Sequence, residues 1–472
     1  MRFRNLEKKN SVIKRLLAKW YGDFTREEFI RVLLLGTAFA LLIGTYWTLR
    51  PLKDALFKAF IIGDGLHKDA SPLAWAKILS VCALIPLVMF YSRLVDRFKR
   101  QSLFYVIGGF MACVLVIFSF LFVHPTLGLA NKVASPERWI GWLWYVFVEA
   151  YGSLMVALFW AYTSDSIDAE CAKKSFPMIV MFGQVGGILG PQSTHLPALL
   201  GFRSCAPLVA ACAVSTVVIV MIIRQFAIRV ARQAVAIPVK EVCLPRPKEE
   251  GAGFIEGLRL LVKDRYLLGI FLVVAFYEVV VTIFDFNFKR LVFQNAVGHQ
   301  ATASLLGNYG TAVNTVSFLC LALGIGNVQR RLGMKTALCA MPFIIGIMVI
   351  GFKLAPSLAP LFWIMVAAKA LNYALNSPSL KQLYIPTSTA AKYKAQAWIE
   401  MFGARSAKAG GSGINTLLKV FQTRAGDVAV GFALYVTFAS LFSGVILVCW
   451  FFVALFLSRE YDRRVNCIKD SR

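Results

Sequence analysis

The sequence predicts an all-α membrane protein of about twelve transmembrane helices in two six-helix halves, and three observations predict it. First, 58% of the 472 residues are hydrophobic and only 16% are charged, too apolar for a chain that folds in water. Second, apolar windows of about 20 residues, enough to cross a hydrocarbon layer of about 30 Å, recur twelve times between charged connections. Third, a short motif at Met181 recurs at Met401, so that six windows are followed by six related ones.

Taken in order, the chain opens with a basic tail, 1–27. Windows at 28–49, 73–92, 102–123, 139–163, 175–199 and 205–223 make an N-terminal half, 28–223. The polar stretch 224–265 is the expected linker, and within it Gly253 to Leu261 has the pattern of a short amphipathic helix lying at the membrane surface. Windows at 266–288, 303–326, 335–352, 358–384, 395–418 and 429–457 make a C-terminal half, 266–458, followed by a tail, 459–472. The fifth and eleventh windows are rich in glycine and polar residues, and the repeat is what supports them. Ala172-Lys173-Lys174 introduces the fifth, which contains Met181-Phe182-Gly183; Lys392-Tyr393-Lys394 introduces the eleventh, which contains Met401-Phe402-Gly403. Gly190 then matches Gly410, and the basic turn Arg97 to Arg100 has a counterpart in Arg331 to Lys335. Parallel six-helix halves related by an axis along the membrane normal describe the major-facilitator architecture, whose substrate site lies between the halves near the midplane.

The net charge of +26 has the magnitude of a nucleic-acid binder's, yet its location excludes that reading. Arg and Lys collect in the N-terminal tail, the second-to-third connection, the segment from Arg224 to Arg265, the Arg330-Arg331 turn and the C-terminal tail. With twelve spans these fall on one side, which the positive-inside rule makes cytoplasmic. The expected location is the inner membrane, multi-pass, with both termini cytoplasmic and the lipid bilayer as solvent. The polar residues before the first window show no cleavable signal pattern. Ten scattered cysteines form no C-x-x-C pair and read as small buried hydrophobes, so neither a metal nor another cofactor is expected.

Ionisable groups at membrane depth cost about 2.5–3.5 kcal/mol on insertion scales, so each needs a partner, a water-filled cavity or a task. Arg50 and Lys53 close the first window, on one helical face if the helix continues past Pro51; interfacial snorkelling is the plainer alternative. Glu149 lies inside an otherwise uncharged fourth window, either lining a cavity or pairing with a distant lysine. Asp285 and Lys289 are four apart at the end of the seventh window, the spacing of a helical ion pair. Arg405 and Lys408 stand with Glu400 in the eleventh and must face the interior. A phosphate-rich solute would neutralise such cations through charge-assisted hydrogen bonds. Glycines at 183, 186, 187 and 190 permit a close backbone approach to such a solute, although helix packing is the stronger account of them. No phosphate-loop motif and no H-E-x-x-H pattern occurs, so the chain is not expected to be an enzyme.

At these charged positions the chain resembles the ATP/ADP translocase, or nucleotide transporter, family of plastids and obligate intracellular bacteria. The resemblance is carried by Leu49-Arg50 with Lys53-Asp54, by Glu149-Ala150-Tyr151-Gly152-Ser153, by Tyr384-Ile385-Pro386 and by Lys408 before Gly410-Gly411. It implies that Lys53, Glu149, Asp285 and Lys408 are the functional charges, with Asp285 standing where the family carries glutamate. It also implies a carrier exchanging ATP for ADP by alternating access, with Lys53 and Lys408 receiving phosphate, helped by Arg50, Lys289 or Arg405. Glu149 and Asp285 become counter-charges, one of them able to carry a coupling proton. Relatives carrying another nucleoside triphosphate, some with protons, are the alternative, and a carrier of another organic phosphate is a third.

Overall fold

The computed structural model describes residues 25–470 apart from 66–68, 99, 167–168, 237–253, 323–327, 355–356, 385 and 388–394. The residues up to 24, residues 237–253 of the linker, Ile385 and the Lys392-Tyr393-Lys394 motif lie outside the described residues. Helix α1, Arg26–Phe57, starts at a capping box in which Thr25 Oγ1 accepts from the Glu28 N–H while the Glu28 carboxylate accepts from the Thr25 N–H. Its end tightens into a π-helical turn, Lys58–Ile62. The N-terminal half continues with α2 (Ser71–Arg97), α3 (Arg100–Val123), α4 (Trp139–Ser166), α5 (Ala169–Gln192) and α6 (Ala206–Ala236). The short linker helix, Phe254–Lys263, falls where the amphipathic pattern was read.

In the C-terminal half, α7 is Arg265–Asn295, α8 Gly298–Ala322 and α9 Val328–Leu354. Helix α10 runs through Leu358–Leu371, a π-helical turn Asn372–Asn376 and Ser377–Leu383. Helix α11 combines Gln396–Trp398, a second such turn Ile399–Gly403 and Ala404–Ala425, and α12 is Val428–Asp470. Among the described residues there is no strand. The helices fill the twelve expected places. Eight of them, α1, α3, α4, α6, α7, α9, α10 and α12, are long and apolar enough to cross a bilayer on composition alone. The others, α2, α5, α8 and α11, are more polar because they pack against helices of the opposite half, α2 on α11 and α5 on α8, where lipid does not set the composition.

The glycines act mainly in packing. A Cβ at Gly186 would run into the Ala40 carbonyl of α1, and one at Gly190 into the Gly44 carbonyl. The same crossing is tied by Thr48 Oγ1, which donates to the Gly190 carbonyl at 2.8 Å. The second half repeats the device: Gly183 abuts Phe39 of α1, and Gly403 abuts Phe271 of α7. Gly410, the expected counterpart of Gly190, has nothing near it; Gly411 takes the packing position, its Cβ direction meeting the Val279 carbonyl at 2.8 Å. Between Gly403 and Gly411 the helix is regular, so the packing contact moves one residue along it. Replacing Gly190 by valine is expected to cost about 1–3 kcal/mol through overpacking against backbone that cannot yield, read as a lowered melting temperature in detergent.

One expectation about the core needs correction. Cys82, Cys113 and Cys449 are exposed rather than buried, whereas Cys205 and Cys212 are buried as expected. The outside of a membrane bundle is hydrocarbon, so a weakly polar thiol gains little from moving inside.

Candidate functional site

Helix α1 continues unbroken through Pro51, so Arg50, Lys53 and Asp54 share a face at spacings of three and four. That face meets α4 on one side and α7 on the other. Lys53 is only 3% exposed; its ammonium donates to the Glu149 carboxylate of α4 and stands 4.3 Å from the centre of the Tyr145 ring. Asp54, equally buried, accepts from Lys289 of α7 at 2.7 Å. One turn back on α7, Asp285 holds the same Lys289 at 3.3 Å and also Lys77 of α2 at 2.7 Å. Alternating charges therefore join the first two helices of one half to the first helix of the other. They surround a water-sized void of about 20 Å³, lined among others by Trp47, Arg50 and Tyr309. Buried ions in such a chain satisfy one another, because a single unpaired charge there costs several kcal/mol.

Next to this network the cations outnumber the carboxylates. Lys408 of α11 reaches Glu278 of α7 at 3.5 Å. Arg50 lies 4.8 Å from the Trp47 ring centre. Among the described residues Arg50, Lys369 of α10 and Arg405 of α11 have no carboxylate within ion-pair distance, and one buried nitrogen of Arg405 has no hydrogen-bond partner. These groups are close enough to act on one another: the field at Lys369 comes from Arg50, Asp285, Lys408 and Glu278, and Glu149 and Tyr46 act on Arg405. The cluster is chemically suited to an anion carrying several negative charges.

The halves meet at one end of the molecule. There Lys58, 1% exposed, forms an ion pair with Asp64 at 2.6 Å and donates across to the Ala296 carbonyl and, at 3.4 Å, to Thr302. Asp64 accepts from the Gly298 N–H at 3.1 Å, where φ of +78° suits only glycine well. His195 with Asn308 at 2.8 Å, Gln192 with Thr311 at 2.9 Å and Lys419 with Asp69 at 3.6 Å add further ties between the halves. Burial works against the Asp64 carboxylate, yet the hydrogen bonds from Lys58 and Gly298 outweigh it and hold its pKa below the ordinary value. A lowered carboxylate pKa stabilises the folded chain at every pH above the ordinary value of about 4, and the effect disappears only as pH falls through the lowered value. Asp64→Asn is accordingly expected to lower the melting temperature by the same amount at pH 8 and pH 6.

All seven residues singled out in the sequence, Arg50, Lys53, Glu149, Asp285, Lys289, Arg405 and Lys408, are brought into this one region. Asp285 and Lys289 pair as their spacing suggested, but each also binds across the halves. Sequence reasoning passed over Lys77, Glu278 and Lys369, and it quoted Asp54 without giving it a part. Lys77, Glu278 and Lys369 lie inside apolar windows, so the rule that flagged Glu149 would have flagged them too. Among the described residues no group of His, Cys, Asp and Glu could hold a metal ion.

Known proteins agree with this architecture. Among solved structures, the chain is similar to the POT family transporter PepTSo, with a TM-score of 0.62 at 14% identity over 92% of this chain and 98% of that one. A bacterial homologue of the iron transporter ferroportin in its inward-facing state gives 0.61 at 12% identity, covering 91% and 99%. These likenesses concern the fold. In sequence the chain is 24% identical to ADP,ATP carrier protein 1 of Rickettsia bellii, over 89% of this chain and 91% of that one. It is 20% identical to ADP,ATP carrier protein 4 of the same organism, covering 98% and 96%. The family model described as TLC ATP/ADP transporter matches residues 7–358. The chain belongs to the TLC ATP/ADP transporter family and is a membrane carrier of nucleotides.

Proposed function

We propose that this carrier exchanges ATP for ADP by alternating access in the inner membrane, with both termini and the linker on the cytoplasmic side. The observation that carries the reading is the surplus of cations between the halves: among the described residues Arg50, Lys369 and Arg405 lack carboxylate partners beside the pairs Lys53–Glu149 and Lys408–Glu278. The polyphosphate of a nucleotide supplies the missing negative charge. On arrival it competes with Glu149 for Lys53 and with Glu278 for Lys408, aided by Arg50 and Arg405, so the carboxylates act as stand-ins for phosphate. Asp285 and Lys289 belong to the contact between the halves beside the end tied by Lys58, and opening that end requires both to change partners. The names of the Rickettsia relatives support the choice of ATP and ADP. The division into halves at 28–223 and 266–458, joined by 224–265, is part of the same proposal.

The test is uptake of labelled ATP, GTP, UTP and CTP into proteoliposomes preloaded with ADP or left without exchangeable solute. ATP uptake that depends on internal ADP is the expected result. Uptake into empty vesicles that rises with an acidic exterior would instead make the chain a proton-coupled importer.

A further inference from the structure

Beside the cation cluster, on the wall of the C-terminal half, lies a separate cavity of about 300 Å³, at the lower end of the range for ligand pockets. It is lined by Tyr277 and Glu278 of α7, Asn372 and Asn376 of α10, and Tyr384 and Glu400. Two π-helical turns border it. Asn372–Asn376 supplies both amides, and Ile399–Gly403 supplies Glu400. Such turns sacrifice regular hydrogen bonding and occur frequently at functional sites. Their convergence on one cavity is the first argument that it receives something.

The polar groups say what. Asn376 Nδ2 donates to Asn372 Oδ1 at 2.8 Å, which leaves the Asn372 amide NH2 as donor and the Asn376 carbonyl oxygen as acceptor for a ligand. A donor beside an acceptor complements N1 and the amino group on the Watson–Crick edge of adenine, where hypoxanthine presents an N1–H and a carbonyl oxygen instead. The Glu400 carboxylate is engaged by Gln396 at 2.9 Å, whereas Glu278 has as its ion-pair partner Lys408, the lysine proposed to receive phosphate. The two ends of one nucleotide can therefore divide this pair, phosphate taking Lys408 and an N–H of the base taking Glu278.

We propose that the nucleobase docks in this cavity and that Glu278 and Asn372 together select a base bearing an exocyclic amino group, adenine above hypoxanthine. The proposal rests on nucleotide exchange as the function and adds the site and chemistry of base selection. Hypoxanthine turns a carbonyl oxygen toward the carboxylate where adenine turns an amino group. The carboxylate then loses a hydrogen bond and faces a lone pair of the same sign.

The test uses the full-length carrier in ADP-loaded proteoliposomes, with labelled ATP uptake inhibited by external ADP or by inosine diphosphate. In the native chain ADP should compete about tenfold better than inosine diphosphate. Glu278→Gln, whose amide can both donate and accept, should bring the two inhibitors close to parity. Loss of the Lys408 pairing in this variant alters binding of both diphosphates alike, so the ratio is the readout and not the absolute rate. Asn372→Ala, at a partly exposed position, should also narrow the ratio and serves if the first variant does not reach the membrane. Native competition at parity overturns the proposal, as does an unchanged ratio in either variant that still exchanges. A native chain that exchanges no nucleotide at all would instead sink the proposed function on which the base site rests.

Discussion

Replacing Lys53 by alanine is expected to reduce nucleotide exchange about a hundredfold or more, and to destabilise the carrier as well. The two effects have different origins. The stability loss comes from Glu149, whose carboxylate remains at membrane depth with its strongest partner removed; breaking such a pair costs about 3–5 kcal/mol when the surviving charge stays buried. Glu149 retains about a third of its side-chain exposure, so the lower end of that range applies. The transport loss comes from the phosphate receptor itself and corresponds to the removal of one charge-assisted contact from a desolvated site. Removing both partners together, Lys53→Ala with Glu149→Ala, separates the two. The double variant should regain most of the thermal stability in detergent and none of the exchange activity in proteoliposomes. Recovery of exchange in the double variant would show that the pair is only structural.

The second large effect is expected at Lys289, which joins Asp54 and Asp285 from opposite halves. With alanine there, two buried carboxylates lose a shared cation; Asp285 keeps Lys77, but Asp54 keeps only Lys53, at 4.0 Å and already committed to Glu149. Like charges across the seam then favour separation of the halves at this end, and a bias of about 1.4 kcal/mol changes the open population tenfold. A cysteine at Leu306, 4% exposed and lining the small void, reports it. Labelling of that cysteine by a membrane-impermeant maleimide should be faster in the Lys289→Ala background than beside the native lysine. Equal labelling would mean that the halves are held by the ties at Lys58, His195 and Gln192 without help from the buried network.

The helices and their order were readable because hydrocarbon imposes a length and a composition on every lipid-facing span, and α3 and α12 show it most simply. Helices α5 and α11 were readable only through their repeated motif, since facing other helices freed them from that rule. Charged residues stood out against an apolar background, which is why Glu149 and Lys53 could be named without a structure. Their partners could not. Whether Asp285 holds Lys289, Lys77 or both depends on how α2 and α7 meet across the seam, and that is a property of one conformation of the carrier rather than of a local pattern. The π-helical turns were invisible for another reason: one added residue shifts the helical phase by about 100° without changing composition.

The unpartnered cations beside Lys53 and Lys408 also bear on why such a carrier would exchange rather than leak. To reorient, a carrier must pass through a state in which its centre is closed to water on both sides. Loaded with a polyphosphate, that centre is nearly neutral. Empty, it would have to carry Arg50, Lys369 and Arg405 through the same state without hydration, at a cost of several kcal/mol for each uncompensated ion. Under the proposed exchange, the return journey is therefore slow unless another nucleotide makes it.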